Sequence, residues 1–137
     1  MKCQNHSEAF IAVGRDLSLV NVFRPTVIPF TDMTVGKEII TLKNGNLDVS
    51  WMTTPGHTGA CCSLILKGDL DFDGKICKSL ALVGDLWDCE NDDEFWKDMS
   101  EKHRTQIESR NFITQNIKPD FIVPGHGPAF KGPYKIY

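Results

Sequence analysis

The sequence predicts an α/β or α+β class built around at least one β-hairpin, and three features carry that prediction. Asn44-Gly45 stands between two strand-like runs, the usual mark of a tight hairpin turn. Further apolar runs of strand length recur up to Gly84. After Asp85 the pattern changes to helical spacing, and one last apolar run, residues 120–123, lies between Pro119 and Pro124.

The elements follow in order. Residues 10–13 (Phe-Ile-Ala-Val) read as a short buried strand closed by Gly14. Val27 and Ile28, between Pro25 and Pro29, read as extended chain, because proline disfavours helix in the residue before it. Residues 37–42 and 47–53 are the hairpin arms, and Leu47, Val49, Trp51 and Thr53 share one face at period two. Residues 61–66 and 76–83 read as a second strand pair. They are joined by residues 67–75, a turn-rich stretch with two glycines and three aspartates. Asn91-Asp92-Asp93 offers helix-start residues and negative charge for the positive end of the dipole, and Phe95, Trp96 and Met99 follow at helical spacing. A second start at Ser100 leads into a helix over residues 101–115, with Ile107 and Phe112 as its apolar positions and Arg104 set to meet Glu108. Pro119 ends it, and residues 120–123 form the final strand.

Composition bounds the function classes. At 137 residues the chain is the size of one domain, and 41% hydrophobic with 24% charged residues excludes wholesale disorder. A formal charge of −3 provides no basic field for nonspecific nucleic-acid binding, although a local site remains compatible with it. No apolar run has the ~20 residues of a membrane span, and residues 1–6 lack the apolar core of a signal peptide. The five cysteines are odd in number, include the adjacent Cys61 and Cys62, and form no Cys-x-x-Cys. Cysteine usage of this kind is expected of a reduced protein of the cytosol or nucleus. Cys61 and Cys62 are expected to face opposite sides of a strand, Trp51, Trp87 and Trp96 to pack, and the tail from Lys131 to be a solvated end.

Three polar residues stand directly behind predicted strands, each beside glycine: His57 in Pro55-Gly56-His57, Asp85 in Gly84-Asp85 and His126 in Pro124-Gly125-His126. A strand end holds a side chain firmly yet leaves it accessible, and glycine lets the backbone turn sharply beside it. Two imidazoles and a carboxylate are an ordinary catalytic zinc ligand set. The three are far apart in sequence, so only folding can bring them together.

These motifs, TTPGHTG (residues 53–59), LVGD (82–85) and PDFIVPGHGP (119–128), together resemble the later motifs of the metallo-β-lactamase fold hydrolases. The resemblance runs over residues 9–130, and residues 95–130 look closer to one member assigned to cutting histone pre-messenger RNA near its 3′ end. It implies the later part of a four-layer αββα sandwich, an antiparallel-rich sheet with flanking helices, in a single domain over 1–137 that is N-terminally truncated. It implies two zinc ions, His57 on the first, His126 on the second and Asp85 bridging both as the catalytic carboxylate. The metals would lower the pKa of a shared water and polarise the bond under attack, and the substrate would be RNA. Other members support a second reading, a thioesterase of the glyoxalase II type.

One departure opens a third reading. The family's His-x-His-x-Asp-His motif is absent, since the only histidines are His6, His57, His103 and His126. His6 and His103 read as a terminal and a helix-surface histidine. A chain short of ligands is expected to be inactive alone, a remnant serving as a binding module. A sheet without its partner layer is expected to expose apolar side chains and to pair as a homodimer through that face.

Overall fold

The computed structural model describes residues 34–90, 92, 95–131, 134 and 136. The strand expected at residues 10–13, the extended chain around Val27 and Ile28, His6, and Asn91 and Asp93 of the expected helix start lie outside the described residues.

Among the described residues, five strands form one mixed sheet in sequential order: β1 (Glu38–Asn44), β2 (Leu47–Thr53), β3 (Cys62–Phe72), β4 (Lys75–Gly84) and β5 (Phe121–Pro124). The first four run antiparallel and β5 lies parallel to β4. Between β4 and β5 come two short helices, α1 (Trp96–Met99) and α2 (His103–Asn111), and a π-helical turn, Phe112–Ile117. The arrangement is an α+β fragment.

The first hairpin forms as expected, with Asn44 opposite Leu47 and Gly45, at φ 60°, first in the two-residue turn. The second pair differs. Residues 67–75 are not a loop: β3 and β4 continue through most of them and close at Asp73-Gly74, where φ is 52° and 70°. Two positive φ values in a two-residue loop match a type I′ hairpin, for which Asp-Gly is a preferred sequence. The other glycine, Gly68, sits where the β3–β4 register shifts, and a Cβ there would overlap the Asn46 carbonyl.

The two sheet faces differ. Toward the helices, Ile65, Ala81, Val83 and Ile122 form a core with Leu86, Trp87, Ile113 and Phe130. Toward the other side, two apolar rows cross all five strands. One pairs Ile40, Trp51, Leu64, Leu82 and Val123 in succession, and the other Leu42, Val49, Leu66, Leu80 and Phe121. Trp87 and Trp96 are buried as expected, but Trp51 lies in the first row and is exposed. The tail is not wholly solvated either: Tyr134 packs on the core, against Trp87 and Phe130, and its hydroxyl donates to the Pro119 carbonyl at 2.8 Å.

The helix also turns a different side inward from the one its apolar spacing suggests. Gln106, Ser109 and Arg110 are the buried residues of α2, whereas Ile107 is only partly buried. Arg104 and Glu108 are exposed and form no ion pair among the described residues. Apolar burial resumes at Ile113 in the π-helical turn.

Removing side-chain volume from the helix-side core should therefore cost far more than removing it elsewhere. Ile113→Ala is expected to lower unfolding free energy by about 2–5 kcal/mol. Ile76→Ala, at a residue 76% exposed, should stay within about 0.5 kcal/mol of the parent. Urea titration of both variants measures the contrast.

Candidate metal centre

Three loops leave the same edge of the sheet. The first, after β2, carries His57. The second, after β4, carries Asp85 and then Asp88. The third, after β5, carries His126.

The polar side of α2 fastens the first two loops. Ser109 Oγ donates to the Pro55 carbonyl at 2.7 Å. Ser100 Oγ and the Lys102 amide, from the turn before α2, donate to the Gly56 carbonyl at 3.0 and 2.9 Å. The Glu101 amide donates to the His57 carbonyl at 3.0 Å. Gly56 lies so close to α2 that a Cβ would overlap the Gln106 backbone. On the second loop, Gln106 Nε2 donates to the carbonyls of Asp85 and Leu86 at 3.1 and 3.2 Å, and Arg110 Nε donates to Leu86 at 2.6 Å. The polar inward side is thus a set of donors for loop carbonyls that have no strand partner, and the burial of such groups requires hydrogen bonds.

Arg110 is the largest of these buried polar groups. Its guanidinium is paired with Asp92, whose other carboxylate oxygen accepts from the Cys89 amide at 2.8 Å. It lies 4.1 Å from the Trp96 ring and 5.0 Å from the Trp87 ring, cation–π distances to both. Burial pushes the guanidinium below its usual value, and Asp92 opposes that shift by charge and hydrogen bond.

The third loop is drawn in by backbone contacts. The Gly125 amide donates to the Gly84 carbonyl at 2.8 Å, and the His126 amide donates to the Asp88 carbonyl at 3.0 Å. A Cβ at Gly125 would overlap Asp85 Oδ1, so only glycine fits beside that carboxylate.

The three side chains expected to act together do lie together. His57 Nε2 is 3.5 Å from Asp85 Oδ2, and His126 Nε2 is 3.5 Å from Asp85 Oδ1. Each imidazole faces its own oxygen of one carboxylate. A zinc with ligands at 2.0–2.2 Å in tetrahedral arrangement separates its nitrogen and oxygen donors by about 3.4 Å. The separations are too long for strong hydrogen bonds and match that spacing. Asp88 adds a donor that the sequence reading did not single out: Asp85, Asp88 and His126 can bring ligand atoms within 4.8 Å of one another. The signal available was its position three residues after Asp85 in a tight turn. The residues present therefore fit a divalent metal by donor type and spacing.

Elsewhere the chemistry is plainer. His103 is exposed at the start of α2. Burial, then the neighbouring Cys61, pushes the Cys62 thiol up, which disfavours the thiolate there. A cavity of about 330 Å³ lined by Lys75, Phe121 and Lys131 lies at the other end of β4 and β5.

No protein-family model matches the chain. Over 80 residues, 58% of the chain, it is 36% identical to metallo-beta-lactamase domain-containing protein 1 of Xenopus laevis, covering 31% of that protein. It is 30% identical over 78 residues, 57% of the chain, to the protein of the same name from Homo sapiens, covering 27% of it. The Rattus norvegicus protein of that name is 33% identical over 79 residues, 57% of the chain and 28% of that protein. The matched stretch thus spans less than a third of these relatives. The partial similarity and the five-stranded α+β fragment are consistent with part of a metallo-β-lactamase domain.

The Arg110–Asp92 pair should control the stability of the second loop. Arg110→Ala leaves a buried carboxylate without its cation and is expected to cost about 3–5 kcal/mol, read by urea unfolding.

Proposed function

We propose that this chain supplies part of a metal-dependent hydrolase centre acting on RNA phosphodiesters. The observation that carries the reading is the placement of His57 and His126, each 3.5 Å from a different oxygen of Asp85. Partial similarity to a metallo-beta-lactamase domain-containing protein supports the metallohydrolase class.

His57, Asp85, Asp88 and His126 are the residues that would hold the metal. A bound zinc supplies Lewis acidity, polarising the bond under attack and lowering the pKa of water. The chain's own groups contribute position. Gln106 and Arg110 fix the backbone at Asp85 and Leu86, and Ser109 and Ser100 fix the turn that carries His57. His126 and Asp85 stand at an open rim, with side chains 75% and 40% exposed. An open rim admits a segment of a long chain more readily than it encloses a small acyl thioester, which favours the RNA reading over the thioesterase one.

Asp88 changes the ligand arithmetic. Without the His-x-His-x-Asp-His motif the three expected ligands are spread over two metals. Asp85, Asp88 and His126 together provide the three protein donors typical of one catalytic zinc. One zinc per chain is therefore expected in calorimetric titration. Asp85→Ala is expected to reduce affinity more than tenfold, and Asp88→Asn to reduce it less. Incubation of the zinc-loaded chain with single-stranded RNA should give slow cleavage that Asp85→Ala abolishes. No zinc uptake beyond that of Asp85→Ala would remove the site. Hydrolysis of a thioester but not RNA would transfer the function to the glyoxalase II type, and zinc uptake without any turnover would favour a binding remnant.

A further inference from the structure

Glu101 is not among the metal-ligand candidates, yet it grips the turn that carries His57. It lies between α1 and α2, in the turn of residues 100–102. Its amide donates to the His57 carbonyl at 3.0 Å, and its carboxylate Oε2 accepts from the Gly59 amide at 2.8 Å. Ser100 Oγ and the Lys102 amide take the Gly56 carbonyl. His57 is thereby bracketed: the backbone before it and the backbone after it are fastened to the same three residues.

The far side of the bracket has little else to hold it. The Thr58 carbonyl accepts from the Gly56 and Cys61 amides at 2.9 and 3.4 Å. The Thr58 amide and hydroxyl meet Cys61 Sγ at 3.3 and 3.1 Å, and the Ala60 amide donates to Thr58 Oγ1 at 3.3 Å. These bonds shape the turn without tying it to the rest of the protein. Among the described residues, the Glu101 carboxylate makes the one hydrogen bond that reaches residues 58–60 from outside the stretch 54–62. It is charge-assisted, a class about twice as strong as neutral hydrogen bonds.

A metal ligand has to be held within about 0.5 Å of its productive position by the groups behind it. The His126 amide is held by the Asp88 carbonyl of the second loop, independently of Glu101. Groups that bond directly to a ligand are typically worth roughly 10–100-fold in metal affinity. Glu101 acts one step further back, through the main chain, so about three- to tenfold is expected of it.

Resting on the metal-centre reading, we propose that Glu101 is a positioning residue for His57: its carboxylate, bound to the Gly59 amide, sets the His57 imidazole against Asp85.

Zinc titration by calorimetry, with the histidine imidazole resonances followed by NMR, tests this on the full chain. Glu101→Ala removes the carboxylate but keeps the amide on His57. It is expected to lower zinc affinity about three- to tenfold. In the metal-free protein it should move the His57 resonances and leave those of His126 and His103 in place. Glu101→Gln retains an acceptor for the Gly59 amide and should recover most of the affinity. Zinc binding by Glu101→Ala as tight as that of the parent overturns the proposal. So does equal movement of His57 and His126, the mark of general loosening. A Glu101→Gln variant as weak as Glu101→Ala overturns it too, since charge and not the hydrogen bond would then matter. If the parent takes up no zinc, the metal-centre reading fails by itself, and the metal-free His57 resonances still decide the role of Glu101. Should Glu101→Ala not fold, Glu101→Asp replaces it. That change keeps the charge but shortens the reach, and the same losses are expected.

Discussion

The buried polar side of α2 is the constraint on which the rest of this structure depends. Loops that return close to a helix bring carbonyl groups out of water, and those carbonyls must find donors. Ser109, Gln106 and Arg110 meet Pro55, Asp85 and Leu86, while Ser100 and Lys102 meet Gly56. One helix and the turn before it thereby register two loops that are remote in sequence. Arg110 can remain charged inside because Asp92 pairs with it and two indole rings flank it. Glycines complete the assembly: Gly56 allows the helix to approach and Gly125 allows β5 to end beside Asp85.

This constraint explains which parts were legible in the sequence. The first hairpin could be read because Asn44-Gly45 interrupts two arms with a clear period. The second was obscured by Asp69, Asp71 and Gly68, which look like loop residues one at a time. In the structure Asp69 and Asp71 are outward positions of a strand and Gly68 is a close approach, leaving Asp73-Gly74 as the turn. The inward side of α2 was not legible, because apolar spacing assigns burial to Ile107, while the buried residues are the donors that the loops require.

The site divides in the same way. His57, Asp85 and His126 could be picked out because each follows a strand and a glycine. Asp88 could not, since its membership depends on how the chain turns after β4 and on the His126 amide meeting the Asp88 carbonyl. The sheet's two apolar faces follow from register. Directly paired residues share a face, so the rows from β1 to β5 become visible only once the strands are aligned.

The central claim is that three loops, the first two held by α2 and the third by the backbone of the second, converge on Asp85 as the proposed metal centre. Its most direct test is a zinc titration of the full chain followed by the imidazole resonances in NMR. The account predicts that His57 and His126 shift together and saturate at the same ratio of zinc to chain, while His103 does not move. Independent saturation of His57 and His126, or a shift confined to His103, would contradict it.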